Sequence, residues 1–249
     1  MIVYPNAKIN VGLNVINKRL DGYHNISSVF YPLYDLTDIL EIQISNKFFF
    51  STSGIISTVK NNLCEQTFKL LKNDYDLPNI HIHLHKRIPV GAGLGGGSSN
   101  AAFTLRVINE LFDLQLSNLD FKKYAIQLGA DCPFFIDNTP KYIQGIGDQM
   151  LDIDLDLSLY EIRIVDPKIH ISTKKAYSNI FLTKQESNLL EYINKPIDSW
   201  KKNIINDFEK SIFNDYPELY KIKKDFYSQG ALYSSMSGTG SVIYAIFKK

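Results

Sequence analysis

The sequence predicts a protein of mixed α-helices and β-strands, because two hydrophobic periodicities recur along its 249 residues. Residues 7–15 and 80–85 alternate apolar and polar side chains, which is typical of strands. Residues 100–112 place apolar side chains at helical spacing, and a glycine-rich run separates them from the second strand. The length suits one large domain or two modest ones, and a hydrophobic content of 45% supports a buried core.

The other elements are predicted from the same two periodicities. Strands are predicted at residues 23–30, 38–44, 160–165, 231–236 and 241–247. Helices are predicted at residues 62–73, 119–128, 173–179, 198–213 and 217–229. Gly129 and Gly230 are expected to end two of these helices in the left-handed conformation. Residues 18–22 are predicted to form the hairpin turn between the first two strands.

Charge and cysteine content exclude several classes of protein. The formal net charge is +1, so nothing favours binding to nucleic acid or to an acidic membrane surface. Cys64 and Cys132 are too few for a disulfide framework or a metal cage. Neither a signal pattern nor an apolar run of the roughly 20 residues that a membrane helix needs is present. We therefore expect a soluble cytoplasmic protein.

Residues 89–99 are the most informative stretch of the sequence. Five glycines lie within the seven positions 91–97, between a strand and an amphipathic helix, and Ser98 and Ser99 follow. Glycine lets the backbone turn sharply and approach a ligand closely, and the N–H groups of a helix's first turn favour an anion. This order predicts a phosphate site rather than a flexible surface loop, with Ser98 or Ser99 capping the helix.

Two known types of phosphate loop can be compared with this stretch. A Walker A loop requires lysine after its last glycine, where this sequence has Ser98. The dinucleotide fingerprint is matched by Gly91, Gly93 and Gly96, but the acidic residue expected about 20 positions on, at the end of a second strand, is missing. An NAD-dependent oxidoreductase is therefore the second candidate.

Several polar residues elsewhere have both a functional and an ordinary interpretation. Lys8 and Asn10 share one face of the first strand, and taken alone a solvent-facing edge is the favoured interpretation. Asp131 precedes Cys132 and Pro133 and is placed either to cap a helix or to act in a site. Residues 81, 83 and 85 are histidines on one strand face, spread over too long a line for one tetrahedral zinc ion.

Taken together, these motifs resemble those of the GHMP kinases, which phosphorylate small-molecule alcohols. Residues 89–99 are similar to the family's phosphate loop, and residues 237–241 to its C-terminal glycine motif. Alone, the latter could equally be a hairpin turn. Residues 5–10, 22–24 and 129–135 are similar to motifs of a branch that acts on an alcohol linked to cytidine diphosphate. The resemblance spans the chain but is dense only in the first 150 residues.

The resemblance implies a two-domain α+β fold of the GHMP-kinase type, with domains at residues 1–150 and 151–249 and the active site in the cleft between them. It implies transfer of the γ-phosphate of ATP, with Mg²⁺, to the 2-hydroxyl of a methylerythritol unit. Asp131 would be the catalytic base and Lys8 its partner cation, which agrees with the chemistry of phosphoryl transfer. The ATP-binding residues would be Pro89, Val90, Gly91, Ala92, Gly93, Leu94, Gly95, Gly96, Gly97, Ser98 and Ser99.

The same resemblance implies a substrate-binding set. Its members are Asn10, Tyr23, His24, Thr173 and Tyr177, the last two helping to hold the cytidine. Tyr23 and Tyr177 are predicted to stack on the two faces of the base, while His24 hydrogen-bonds to its edge. The sequence assigns no magnesium ligands, with Ser99 as one candidate, and leaves monomer and homodimer open. Ala92 departs from the glycine pattern, and the C-terminal half is short for the family.

Overall fold

In the computed structural model, which describes residues 1–55, 62–178, 180 and 188–249, the chain divides into two compact units. Unit 1 consists of Met1–Lys8, Pro32–Val90 and Gly95–Thr139, and unit 2 of Ile9–Tyr31, Gly91–Leu94 and Pro140–Lys249. The units interleave along the chain, and both contain part of the glycine-rich loop. The predicted domain boundary at residue 150 stays a prediction.

Strands and helices follow one another in groups along the chain. The strands are β1 (Ile2–Val3), β2 (Asn6–Lys18), β3 (His24–Thr37), β4 (Ile39–Ile44), β5 (Phe49–Gly54), β6 (Ile80–Lys86), β7 (Lys141–Gln144), β8 (Gln149–Asp152), β9 (Tyr160–Val165), β10 (Tyr233–Met236) and β11 (Ile243–Lys248). The helices are α1 (Leu63–Asp74), α2 (Gly96–Phe112), α3 (Asn118–Leu128), α4 (Cys132–Asp137), α5 (Thr173–Ser178), α6 (Leu189–Ile193), α7 (Trp200–Asn203), α8 (Phe208–Asp215) and α9 (Pro217–Ser228). None of the helices in the described ranges is long and apolar enough to cross a bilayer.

Unit 1 contains a sheet of order β1-β4-β6-β5, in which β4 and β6 are antiparallel and β5 and β6 parallel. The alternation predicted for β6 buries Ile80, Ile82 and Leu84 completely. Helices α1 and α2 contribute further buried apolar side chains, among them Phe68 and Leu105. This core holds the strand before the glycine-rich loop and the helix after it.

The opposite side chains of β6 confirm the expected histidine face. His81, His83 and His85 are only partly buried, and their ring nitrogens hydrogen-bond to the hydroxyls of Ser51 and Ser53 at 2.8–2.9 Å. In the described ranges no group of three or more His, Cys, Asp or Glu residues could hold a metal ion.

Unit 2 contains the sheet of order β10-β11-β9. It also contains β7, β8 and residues 9–18 and 24–31 of β2 and β3, which belong to a sheet of order β2-β3-β7-β8. The predicted turn at 18–22 joins β2 and β3, with the Arg19 amide donating to the Tyr23 carbonyl at 2.8 Å. The antiparallel pairing of β10 with β11 makes residues 237–241 a hairpin connection, one of the two interpretations that the sequence left open. Predicted helix 173–179 is present as α5, and residue 179 lies outside the described residues.

The predicted single helix at 198–213 is wrong. The chain forms a 3-10 turn at Ile197–Ser199, the short helix α7 and then α8, with an extended stretch between the two helices. There the Leu13 amide donates to the Ile205 carbonyl at 3.0 Å, and the Asp207 amide donates to the Leu13 carbonyl at 2.8 Å. Pairing with β2 therefore overrides local helical periodicity.

Gly129 also departs from its prediction. It ends α3, but its φ of 165° is extended backbone rather than the left-handed conformation. Its amide donates to the Ala125 carbonyl, and the chain then turns directly into α4, with the Cys132 amide donating back to the Gly129 carbonyl at 3.1 Å. Only residues 129–131 connect the two helices, so Asp131 lies at their junction.

Candidate active site

The glycine-rich loop exposes backbone and buries its apolar side chains. Ala92 and Leu94 are 5% and 1% exposed, whereas the intervening Gly93 is only partly buried. Gly93 and Gly95 have φ values of +83° and +68°, a conformation that side chains disfavour. A β-carbon on Gly93 would collide with the Ser237 carbonyl, and one on Gly95 would lie 3.0 Å from both Lys8 Cγ and Phe135 Cζ. The loop can therefore present its amides to a ligand only with glycine at these positions.

Helix α2 starts at Gly96, and the left-handed Gly95 is its N-cap. No side chain caps the helix, so the predicted capping by Ser98 or Ser99 is wrong. The reason is that the helix begins earlier than expected, which places both serines inside its first turn. The uncapped amides and the helix dipole make this end suitable for an anion. The Ser99 hydroxyl is buried and has no hydrogen-bond partner among the described residues.

Lys8 and Asp131 lie together in unit 1, with Lys8 Nζ 3.4 Å from Asp131 Oδ2. The Lys8 side chain is 4% exposed and that of Asp131 33%. Strand β2 is buried on both faces around Lys8, so the solvent-facing interpretation is wrong for this residue. Asp131 occupies the N-cap position of α4, but its side chain makes no capping hydrogen bond. The carboxylate therefore remains directed to the lysine and partly accessible.

A reciprocal amide pair supports this arrangement. Asn6 Nδ2 donates to Asn138 Oδ1 at 3.2 Å, and Asn138 Nδ2 donates to Asn6 Oδ1 at 2.8 Å. Asn6 begins β2 and Asn138 ends α4, so the pair connects the two elements that hold Lys8 and Asp131. Sequence reasoning missed Asn138, because nothing in the local pattern indicates a partner 132 positions away.

Burial makes the cysteine next to Asp131 chemically inert. Cys132 is completely buried, and burial raises the pKa of its thiol to about 12. A thiol with so high a pKa stays protonated near neutral pH and is a poor nucleophile. Cys132 is therefore not a candidate nucleophile of this segment.

Asn10 lies in unit 2 against the C-terminal glycine turn. Its side chain donates to the Ser28 hydroxyl at 2.9 Å, and its backbone amide donates to the Ser237 hydroxyl at 3.2 Å. Ser237 in turn donates to the Gly93 carbonyl at 2.8 Å. The hairpin turn at 237–241 thus contacts the glycine-rich loop directly, and Asn10 is buried at 2% exposure rather than solvent-facing.

Asn206 also binds the turn at residues 237–241, and the sequence analysis did not identify it. Its Nδ2 donates to the Met236 carbonyl at 2.9 Å and to the Gly238 carbonyl at 2.8 Å. Its Oδ1 accepts from the Phe208 amide at 3.0 Å. Asn206 fell inside the predicted helix 198–213, where an asparagine gives no signal of such a role.

The aromatic residues predicted for the substrate are all in unit 2, and two of them stack. The His24 and Tyr177 rings have centroids 4.9 Å apart and planes inclined by 29°. Phe208 supports Tyr177 edge-on at 4.8 Å. Burial, and then the charge of Lys18, lowers the pKa of His24. Tyr23 is 63% exposed in the β2–β3 turn.

The two predicted substrate residues of the C-terminal half both lie in α5. Thr173 is exposed at the start of α5, and Tyr177 lies one turn further along the same helix. His24 covers one face of the Tyr177 ring. The predicted stacking of the cytosine between Tyr23 and Tyr177 stays a prediction.

Comparison with known proteins identifies the family of this chain. The family of GHMP kinases N terminal domains matches residues 62–138, and that of GHMP kinases C terminal regions matches residues 187–249. A 4-diphosphocytidyl-2-C-methyl-D-erythritol kinase of Azobacteroides pseudotrichonymphae is 51% identical, over 100% of this chain and 94% of that protein. One of Bacteroides fragilis is 46% identical, over 99% of this chain and 92% of that protein.

Solved structures show the same relationship at the level of the fold. A crystal structure of 4-(cytidine 5'-diphospho)-2C-methyl-D-erythritol kinase matches with a TM-score of 0.87 and 26% identity, covering 99% of this chain and 90% of that one. Methanococcus jannaschii mevalonate kinase matches with a TM-score of 0.72 at 13% identity, covering 100% and 90%, a likeness of fold alone. With full-length relatives at this identity, the chain belongs to the GHMP kinases and, within them, to the 4-diphosphocytidyl-2-C-methyl-D-erythritol kinases.

Proposed function

We propose that this protein transfers the γ-phosphate of ATP to the 2-hydroxyl of 4-diphosphocytidyl-2-C-methyl-D-erythritol, a step of non-mevalonate isoprenoid precursor biosynthesis. The observation that carries the proposal is the Lys8–Asp131 pair, joined at 3.4 Å in the same unit as the uncapped start of α2. A phosphate-binding helix end and a carboxylate beside a buried cation are the parts that phosphoryl transfer requires.

In the proposed reaction Asp131 orients the substrate hydroxyl and accepts its proton at a carboxylate oxygen. Lys8 lies 3.4 Å from that carboxylate and offsets the negative charge that accumulates as the hydroxyl attacks. Because only 4% of the Lys8 side chain is exposed, water screens its charge weakly. General base catalysis of this kind contributes a factor of about 10²–10⁴ to the rate.

The residues present fit ATP. A β-carbon would collide with backbone at Gly93 and would crowd side chains at Gly95, and α2 begins without a capping side chain. Backbone amides in such a loop bind the oxygens of a polyphosphate, with the helix dipole favouring the negative charge. We therefore assign residues 89–99 to the nucleotide phosphates.

Mg²⁺ belongs to the same proposal. In the described part of the chain no group of three or more acidic, histidine or cysteine side chains could hold a metal ion. Mg²⁺ commonly keeps several waters and binds through substrate phosphates and one or two protein oxygens, so an all-protein site is not needed. Bound there, the ion would neutralise phosphate charge. Ser99 Oγ, which lacks a hydrogen-bond partner among the described residues, is the candidate protein ligand.

The cytidine is assigned to residues of unit 2. The stacked rings of His24 and Tyr177 present an aromatic surface, and Asn10, Tyr23 and Thr173 complete the proposed set. An aromatic face binds a nucleobase by stacking, and an imidazole nitrogen can hydrogen-bond to its edge. A cytoplasmic location and a monomeric or homodimeric state stay expectations from the sequence.

One assay tests the function. ADP release would be measured with Mg²⁺-ATP and four alcohols in turn: the cytidyl methylerythritol substrate, mevalonate, homoserine and galactose. We expect turnover with the first alone. Turnover only with another alcohol would move the chain to a different GHMP kinase activity, and ATP binding without turnover would indicate a nucleotide sensor. A thermal shift with NAD instead of ATP would favour an oxidoreductase.

A further inference from the structure

A buried polar cluster lies at the base of the glycine-rich loop. We define the Asp38 cluster as Asp38, Lys86 and Asn100, which are 0%, 3% and 3% exposed and all belong to unit 1. Lys86 Nζ donates to Asp38 Oδ2 and, at 3.1 Å, to Asn100 Oδ1. Asn100 Nδ2 donates to the same Asp38 oxygen at 2.9 Å. Each member therefore contacts the other two.

The cluster also binds the backbone at the point where the loop begins. The other carboxylate oxygen of Asp38 accepts from the Arg87 amide at 2.7 Å and from the Ile88 amide at 2.9 Å. These two residues directly precede the phosphate loop at 89–99. Asp38 thus fixes the direction in which the chain leaves β6.

The same cluster reaches the point where the loop ends. Asn100 lies in α2, four residues after the helix start at Gly96. A β-carbon on Gly96 would lie 3.4 Å from Lys86 Nζ and 2.8 Å from Ile88 Cγ2, so the first turn of α2 packs directly on the cluster and on the loop's entry. One set of buried hydrogen bonds therefore connects the backbone at the entry of the loop with the first turns of α2 at its exit.

Burial of such a pair needs an explanation beyond stability. Removing an ammonium and a carboxylate from water is costly, and replacing buried pairs by apolar side chains is often neutral or stabilising. Apolar side chains cannot accept hydrogen bonds from two adjacent backbone amides. They also cannot accept a third hydrogen bond from a side chain of α2, as Asp38 does. The contacts of the Asp38 cluster thus fix backbone geometry at both ends of the loop.

We infer that the Asp38 cluster is a positioning element for the phosphate loop: it sets the distance and angle between the loop's entry and the start of α2, and thereby the alignment of the γ-phosphate. The inference rests on the proposed function, since it deepens the ATP site. Asp38, Lys86 and Asn100 act through the loop rather than on the nucleotide, so they are positioning residues and not catalytic ones.

The test compares Asn100→Ala with Thr104→Val. Thr104 is fully buried one turn further along α2, and its hydroxyl donates to the Asn100 backbone carbonyl at 2.7 Å. Its loss therefore removes a buried hydrogen bond of the same helix and leaves the side-chain contacts of the cluster in place. ATP affinity is measured by calorimetry, kcat and KM by ADP release, and folding by Tm. We expect Asn100→Ala to weaken ATP binding and to lower kcat/KM by about 10–10²-fold, since misplacement of about 1 Å can cost 10²-fold. Thr104→Val should lower only Tm.

A second variant keeps the test decisive if Asn100→Ala folds poorly. Asp38→Asn with Lys86→Met removes both charges together, so no unpaired charge is left buried, and the same loss of ATP affinity is expected. Wild-type ATP affinity and kcat in either folded variant would refute this inference and leave the proposed function standing. Failure of the wild-type chain to bind ATP would refute the proposed function and this inference together.

Discussion

Lys8 shows how strongly tertiary context changes the meaning of a single residue. In sequence it is one polar position on an alternating strand, for which solvent exposure is the ordinary outcome. In the structure its side chain is 4% exposed and its ammonium lies 3.4 Å from Asp131. A lysine is buried to this degree almost only when it is paired, and the Asp131 carboxylate is such a partner for the Lys8 ammonium.

Replacing the carboxylate of Asp131 should separate catalysis from folding. Asp131→Asn keeps the size of the side chain but cannot accept a proton, so kcat should fall by at least about 10²-fold. ATP affinity and the circular dichroism spectrum should stay near those of the wild type, because Asp131 makes no capping hydrogen bond. Lys8→Met should likewise lower kcat more than ATP affinity. Near-normal kcat in a folded Asp131→Asn variant would exclude Asp131 as the base.

The exposure of Tyr23 makes the predicted base stacking directly testable. Because Tyr23 is 63% exposed, Tyr23→Ala should cost little folding stability. If it stacks on cytosine, KM for the cytidyl substrate should rise by roughly 10-fold, since base stacking is worth about 1–3 kcal/mol. Leu20→Ala, a fully exposed position in the same turn, is the matched control and should leave KM unchanged. Equal KM values for the two variants would remove Tyr23 from the substrate site.

His24 should make substrate binding sensitive to mildly acidic pH. Burial and Lys18 lower the pKa of His24 in the folded protein, so the ring is neutral at pH 7 and can accept a hydrogen bond from the base. As pH falls through that lowered pKa, protonation removes the acceptor, and KM for the cytidyl substrate should rise. Below about pH 6.5 the unfolded chain binds more protons at this residue than the folded one, so folding stability should also fall there.

The matched variant for that prediction is His24→Gln, which keeps a hydrogen-bonding group but does not titrate. The pH dependence of KM, measured from pH ~5 to ~8, should flatten in the variant, and discrimination between cytidine and uridine analogues should weaken. A wild-type pH profile in His24→Gln would assign the titration to another group.

At the scale of elements, the glycine-rich loop depends on backbone that only glycine adopts cheaply. Gly95→Val would place a branched side chain at a φ of +68°, with its β-carbon 3.0 Å from Lys8 Cγ. We expect ATP affinity to fall by at least about 10-fold, because a side chain strains the backbone at the start of α2 and crowds Lys8 and Phe135. Gly230→Val is the control: it has a φ of +91° and nothing within 4 Å of its β-carbon.

The control therefore shares the backbone strain of Gly95→Val but not the collision. Calorimetry with ATP and a thermal melt on both variants separate the two effects, since strain alone lowers Tm in both. ATP affinity preserved in folded Gly95→Val would remove this part of the loop from the phosphate site.

At the scale of the whole molecule, the two cysteines report on the integrity of the fold. Cys64 and Cys132 are completely buried, and burial raises the pKa of both thiols to about 12. Thiols of this kind react slowly even with a small disulfide reagent, because neither thiolate nor access is available. We expect negligible labelling of the native protein at neutral pH and two labels per chain after unfolding in denaturant.

Because both cysteines lie in unit 1, the denaturant midpoint of their labelling should report the unfolding of that unit. ATP with Mg²⁺ should shift that midpoint upward, because a ligand that binds only the folded state stabilises it. Rapid labelling of one thiol in the native protein would show local opening at that helix.

Local pattern determined most elements of this chain, because alternating and helical periodicities report which faces are buried. Strands β6 and β9 and helices α3 and α9 lie within one or two residues of their predicted ranges. The motif at residues 89–99 likewise predicted the GHMP kinase family, which the comparisons confirm, while its role as a phosphate loop stays a prediction. Glycine is required there by the backbone itself, and such a requirement is visible in sequence.

Long-range contacts decided the rest. The break between α7 and α8 follows from pairing with Leu13, and the start of α2 from a left-handed Gly95 rather than from a serine cap. Three sets of contacts join residues far apart in sequence: the Asn6–Asn138 pair, the hydrogen bonds of Asn206 to the turn at 237–241, and the Asp38 cluster. Buried polar groups need hydrogen-bond partners, and these partners can come from any part of the chain. Which groups pair depends on their distance in the folded protein, and no local sequence pattern encodes that distance.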